Sequence, residues 1–211
     1  MRAIIISGGK APSKELLLSY IKEDDILIGV DKGCDVFYEY NIIPNIILGD
    51  FDSAKKEYIE EFIKKGVKIE KYNPEKDYTD THLGYIKAKE ANADEIIMFG
   101  VTGTRIDHTL ANFGILFMAL KDKIKLEIID DNNRIFIIDK NTTFKGKKGE
   151  LISFHALSNV VKNVNIEGAK YTLKNYDMTL LEPRAICNEF LDKDITISFD
   201  KGIIMVIFPM D

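Results

Sequence analysis

Short, almost wholly apolar runs alternate along the first 131 residues with segments whose apolar positions recur every three or four residues. The run at 3–6 predicts a buried strand, and 26–30, 46–48, 67–72, 95–99 and 125–129 predict further strands. Between them, 14–21, 35–40, 54–65 and 78–92 predict helices. Within 54–65, Tyr58, Ile59, Phe62 and Ile63 share one face, and Gly66 stands where a helix C-cap glycine belongs. After the turn at 100–105, Ile106, Leu110, Phe113, Phe117 and Leu120 recur in steps of three and four, which predicts a core-facing stripe. Strands alternating with helices in this way predict a mostly parallel sheet covered by helices on both faces.

Beyond Asp131 the helical period stops. Short runs at 134–138, 151–155, 160–166, 195–199 and 203–208 are separated by Gly, Asn, Asp and Lys, and Asp200-Lys201-Gly202 is placed to turn a final hairpin. The expectation is an α/β domain over 1–131 followed by an all-β sandwich or barrel over 132–211. No linker separates the two, so packed domains are expected.

Composition narrows the function. Of 211 residues, 45% are hydrophobic and 30% charged, the balance of an ordinary soluble protein. A net charge of -5 argues against a general nucleic-acid binder, which needs a basic excess. Cys34 and Cys187 lie far apart in no CxxC pattern, so neither a disulfide framework nor a zinc site is expected. The apolar start is too short for a signal-peptide core, and no run approaches the roughly 18 residues that span a bilayer. A soluble, cytoplasmic protein is the expectation.

Open α/β sheets bind ligands beyond the carboxyl ends of their strands. The first strand ends at Gly8-Gly9, the second at Asp31 and Gly33, and the third at Gly49-Asp50-Phe51-Asp52-Ser53. The fourth leads to Lys76, Asp77 and Asp80, and the fifth to Gly100, Gly103, Arg105 and Asp107. Singly, each has a plain explanation: Ser53 and Asp77 can cap helices, glycines permit sharp turns, and Arg105 can make a surface ion pair. Together they gather carboxylates that repel one another unless a cation sits among them, and Mg2+ carrying a polyphosphate is such a cation. The glycine turn before a helix offers N–H groups to an anion, and Arg105 offers a bidentate grip. Neither glycine pair completes a Walker or a GxGxxG pattern. His82, His108 and His155 carry no pattern of their own.

Three segments resemble the thiamine pyrophosphokinases: Leu48-Gly49-Asp50-Phe51-Asp52-Ser53, Asn73-Pro74-Glu75-Lys76-Asp77-Tyr78-Thr79-Asp80, and Gly100-Val101-Thr102-Gly103-Thr104-Arg105-Ile106-Asp107-His108 with Asn112. The resemblance implies a nucleotide-binding catalytic domain and a β-sandwich that binds thiamine and dimerises. It implies a homodimer with thiamine between subunits, and a reaction in which ATP and thiamine, with Mg2+, give AMP and thiamine diphosphate. It places Asp50, Asp52 and Asp80 as metal ligands, Arg105 and the Gly100–Gly103 turn with Thr102 and Asn112 near phosphate, and Asp107 near the reacting groups. Asp77 or Asp107 is expected to orient or deprotonate the hydroxyl. Tyr171 and Leu173 in the 168–173 segment, and Cys187 and Asn188 in the 185–189 segment, are implied to border thiamine; Cys187 stands where the family commonly has Ser. A nucleotide-sugar transferase using Asp50-Phe51-Asp52, and a non-catalytic nucleotide or vitamin sensor, are the alternatives.

Overall fold

The first apolar run forms β1 (Arg2–Ile6), in which Ala3, Ile4, Ile5 and Ile6 are fully buried. A strand buried on both faces needs neighbours on both edges and cover on both faces. In the computed structural model, which describes residues 1–73, 77–103 and 105–210, its neighbours are β2 (Ile26–Val30) and β5 (Glu95–Phe99), both parallel to it. With β3 (Ile46–Gly49), β4 (Lys68–Lys71) and β6 (Lys125–Asp130) the order is β6-β5-β1-β2-β3-β4, parallel throughout. The connecting helices are α1 (Lys14–Tyr20), α2 (Gly33–Glu39), α3 (Lys56–Lys64), α4 (Asp80–Glu90) and α5 (Ile106–Asp122). A Cβ on Gly29 would meet Cys34 and Phe37 of α2, whereas Val30 lies against Gly84 of α4. Consecutive strand residues face opposite sides, so these two helices cover opposite faces. The expected parallel sheet flanked by helices is borne out.

Three local expectations are overturned. α4 is capped by Thr79, whose hydroxyl accepts the His82 N–H at 3.2 Å, and not by Asp77, which lies outside the helix. α3 begins after Lys55 with no side-chain cap, so Ser53 caps nothing. The stripe on α5 does not face the core: Ile106 is 66%, Leu110 60% and Phe117 37% exposed, while Asn112, Ile115, Leu116 and Ala119 are buried. Two apolar stripes compete on this helix, and the one built around Leu116 wins the sheet.

The chain divides into two compact units, Met1–Asp131 and Asn132–Asp211. The second consists of β7 (Asn133–Ile138), β8 (Thr142–Phe144), β9 (Leu151–Ala156), β10 (Val160–Glu167), β11 (Leu173–Thr179), β12 (Asn188–Glu189), β13 (Ile195–Ser198) and β14 (Ile204–Pro209). Within it, one antiparallel sheet runs β12-β9-β14-β7 and another β11-β10-β13-β8. Their inner faces share a core that includes Ile152, Phe154, Val161, Val164, Ile197 and Val206, the two-layer arrangement of a sandwich. The final hairpin is not formed: β13 pairs with β8 and β10, β14 with β7 and β9, and 200–202 carries the chain from one sheet to the other. Among the described residues no helix is long and apolar enough to cross a membrane, and both cysteines are free.

Candidate active site

From β1 the chain builds β2, β3 and β4 on one side and then returns to place β5 on the other. The loops leaving the carboxyl ends of β1 and β5 therefore diverge at the reversal where such sheets bind ligands. Here they are locked together. Ser7 donates its N–H to the Phe99 carbonyl at 2.9 Å, Gly9 to that of Gly100 at 2.7 Å, and Lys10 to that of Thr102 at 2.9 Å. A Cβ on Gly9 would stand 2.3 Å from the Thr102 oxygen, and one on Gly33 2.0 Å from the Ile6 oxygen, so both glycines are demanded by backbone contact. Asn112, buried on α5, donates to the Val101 carbonyl at 2.7 Å, and Thr102 Oγ1 donates to Asp130 at 2.8 Å. The carbonyls of Gly100, Val101 and Thr102 are thus all engaged within the unit, which fixes the turn, while Gly8 and Gly103 remain exposed. Ser7 Oγ, beneath this lock, is buried with no hydrogen-bond partner among the described residues.

Beside the glycine lock lie the acids. Asp31 leaves β2 with φ 47°, its N–H bonded to the Leu48 carbonyl at 2.9 Å and its Oδ1 accepting the Phe51 N–H at 3.4 Å. Gly49 has φ 138°, and a Cβ there would lie 1.8 Å from Asp31 Oδ1, so this glycine makes room for the carboxylate. Asp80, the first residue of α4, hydrogen-bonds Asp31, and Asp50 acts on it through space. Burial first, then the charges of Asp80 and Asp50, push Asp31 up to about 7. The carboxylate repulsion expected from sequence thus falls on Asp31. Asp50 Oδ1 accepts the Asp52 N–H at 3.0 Å, and Asp52 and Ser53 are exposed. Among the described residues no group of three His, Cys, Asp or Glu side chains stands ready to hold a metal; the acids that act on Asp31 are Asp80 and Asp50.

Arg105 and Asp107 face solvent and grip each other, Nη2 to Oδ2 at 2.6 Å and Nε to Oδ1 at 3.2 Å. That pairing holds the Asp107 carboxyl down at about 2. Asp77 is exposed, and Lys76 lies outside the described residues.

In the second unit Tyr171 projects into solvent, 60% exposed, and Leu173 opens β11 half-buried. Asn188 is 1% exposed, its amide taken up by backbone: Oδ1 accepts the Tyr171 N–H at 2.9 Å, and Nδ2 donates to the Tyr171 carbonyl at 2.7 Å. Cys187 presents an exposed thiol, and its N–H reaches Ser153 Oγ at 2.9 Å. Sequence reading passed over Asp130, Ser153 and Asp35, whose Oδ1 accepts the Lys55 N–H at 3.0 Å and steadies the exit of the acidic loop. Only Asp130 carried a signal, since it ends a strand as the other edge acids do.

Fold and site together define a class: a doubly wound α/β unit with interlocked glycine turns and opposed carboxylates at its ligand edge, carried in one chain with a β-sandwich. Residues 17–128 match the family model of the thiamin pyrophosphokinase catalytic domain, and residues 136–204 that of the thiamin pyrophosphokinase vitamin B1 binding domain. The chain is 35% identical over 209 residues to the thiamine pyrophosphokinase of Bacillus subtilis, covering 98% of each. A crystal structure of thiamine pyrophosphokinase from B. subtilis superposes with a TM-score of 0.89 at 32% identity, with all of both chains covered. The enzyme of Candida albicans, at 18% identity, shares the fold with a TM-score of 0.81 over 100% of this chain and 90% of its own. The chain belongs to the thiamine pyrophosphokinase family.

Proposed function

We propose that the protein is a thiamine diphosphokinase that moves the pyrophosphoryl group of ATP to the hydroxyl of thiamine, releasing AMP. The observation that carries this reading is the end-to-end match to both family domains, in a chain whose sheet reversal places interlocked glycine turns beside opposed acids. The nucleotide-sugar transferase and sensor readings lack comparable support.

At that edge Gly8, Gly9, Gly33, Gly100, Thr102 and Gly103 bring backbone close to the phosphates, joined by Ser53 and, on the family resemblance alone, by Lys76, and Asn112 keeps the turn in shape through Val101. Asp50, Asp52 and Asp80 would hold Mg2+, with Asp31 alongside. An all-carboxylate donor set suits a hard cation, and the raised Asp31 is a group that a cation would return to its ionised form. Bound there, Mg2+ would neutralise charge on the phosphate oxygens. Arg105 offers the phosphates the part of its guanidinium that Asp107 leaves open, since Asp107 engages only Nε and Nη2. Asp107, pinned by Arg105 and held low, orients the arginine, which leaves Asp77 to orient the thiamine hydroxyl. Tyr171 offers its ring to the thiazolium cation, as it already does to the Lys170 ammonium 5.7 Å from its centroid. Leu173 and Cys187 complete the thiamine-binding segment, with Asn188 buried next to Cys187 in the chain.

The protein acts in the cytoplasm as a homodimer in this reading; exposed apolar side chains open to a second copy include Leu180, Leu181 and Ile186 of the β-sandwich, the expected dimerisation domain, and Ile106, Leu110 and Phe117 on α5.

Purified protein incubated with ATP, Mg2+ and thiamine is expected to yield AMP and thiamine diphosphate in equal amounts, and neither without metal. ADP with thiamine monophosphate would overturn the pyrophosphoryl step. No thiamine-dependent product would overturn the assignment.

A further inference from the structure

We infer that Asn188 serves the thiamine reaction without touching thiamine, by clamping the backbone of Tyr171 and thereby setting where that exposed ring stands. The inference rests on the reading that Tyr171 receives thiamine. The Asn188 side chain is 1% exposed, and its oxygen accepts two backbone N–H groups, Tyr171 at 2.9 Å and Glu189 at 3.0 Å. An amide oxygen has two lone pairs, so none is left for a ligand. Its nitrogen donates to the Tyr171 carbonyl at 2.7 Å. Both polar groups of one peptide residue, N–H and C=O, are therefore held by one buried side chain.

The clamp joins a rigid base to a segment with little support of its own. Asn188 pairs with Ile152 in the β12–β9 ladder, whose fully buried Ile152 and Phe154 belong to the sandwich core. Residues 170–172 precede β11 and lie outside any ladder; besides Asn188, Lys170 ties them to the same base, its N–H reaching the Glu189 carbonyl at 3.1 Å and its Nζ the Glu189 carboxylate at 2.7 Å. On the other side, Gly168 turns with φ 84°, where a Cβ would stand 2.0 Å from the Asp194 oxygen. Tyr171 thus stands on a loop between a tight glycine turn and the start of a strand, and the Asn188 amide is the side chain that holds both polar groups of its backbone.

Asn188→Asp tests this, because it keeps the size and the acceptor but sets a carboxylate oxygen against the Tyr171 carbonyl. The expected result is a thiamine KM, and a calorimetric thiamine Kd, raised at least about tenfold, with ATP KM and kcat at saturating thiamine within about twofold. In a Tyr171→Ala background the same substitution is expected to change thiamine KM less than twofold, since the clamp then has nothing to position. Independent, multiplying effects would mean direct contact and overturn the inference. So would an unchanged thiamine KM, or a loss confined to melting temperature and active fraction, which is what a merely structural residue gives. If the Asp variant does not fold, Asn188→Ser, which keeps a single short polar group, is read by the same cycle. Wild-type protein that neither binds thiamine nor forms AMP with it would sink the functional reading itself; wild-type binding with an indifferent Asn188→Asp would sink only this inference.

Discussion

Arg105 and Asp107 show how a residue's neighbour decides its chemistry. The two form a bidentate pair in solvent, and exposed pairs contribute little to stability, so neither substitution should measurably move the melting temperature. Function should separate them. Arg105→Ala removes the cation offered to phosphate and is expected to lower kcat by a factor of about 100 or more. Asp107→Asn keeps an acceptor for the guanidinium and is expected to cost less than about tenfold. Asp107 is held near 2 by the arginine, so it stays ionised across the working range and the acid limb of kcat/KM should be unchanged in Asp107→Asn. A displaced acid limb, or a loss as large as that of Arg105→Ala, would make Asp107 the group acting on the hydroxyl. At this scale the sequence displayed residue types well, because carboxylates and glycines at strand ends have few reasons to be there. It concealed partners. Nothing in the spacing said that Thr79 would cap α4, or that Asn112 and Asn188 would turn inward to backbone carbonyls.

The same contrast governs whole elements. Strands buried on both faces read clearly because runs such as Ile4, Ile5 and Ile6 leave no polar face to mistake. β8, β11 and β12 escaped because they are short or mostly polar, and β11 is bent by Asn175 at φ 49° and by register shifts against β10. α5 misled because periodicity shows that a helix has an apolar face but not which of two faces meets the sheet. Leu116 is 1% exposed and Leu110 60%. Leu116→Ala should therefore cost about 2–5 kcal/mol in denaturant unfolding, and Leu110→Ala less than about 0.5 kcal/mol. If the exposed stripe is where a second copy sits, Leu110→Glu will leave the circular dichroism spectrum unchanged and halve the mass measured by sedimentation. A dimer that survives Leu110→Glu together with Phe117→Glu would exclude this face as the interface.

For the molecule as a whole, the ligand edge opposes stability. Asp31, ordinarily near 3.8, is pushed up to about 7 by burial and by Asp80 and Asp50. Between those values the folded protein retains a proton that the unfolded chain has released, so stability falls as pH rises through the window, and the full penalty stands above about 7. Asp31→Asn, permanently uncharged, should therefore melt higher than wild type in chelator-treated protein at pH 8. The gain should shrink steadily as pH falls toward 4. Asp31 is partly solvated, so the discounted effect is about 1 kcal/mol, or about 2–4 °C for a chain of this size. A cation among the acids stabilises the folded state alone and favours the ionised carboxylate, so millimolar Mg2+ should flatten the wild-type pH dependence and raise the variant's melting temperature less. Parallel melting curves for the two proteins at every pH would mean that Asp31 is not the strained group. An equal Mg2+ response in both would remove it from the surroundings of the metal and leave Asp50, Asp52 and Asp80 to hold the ion without it.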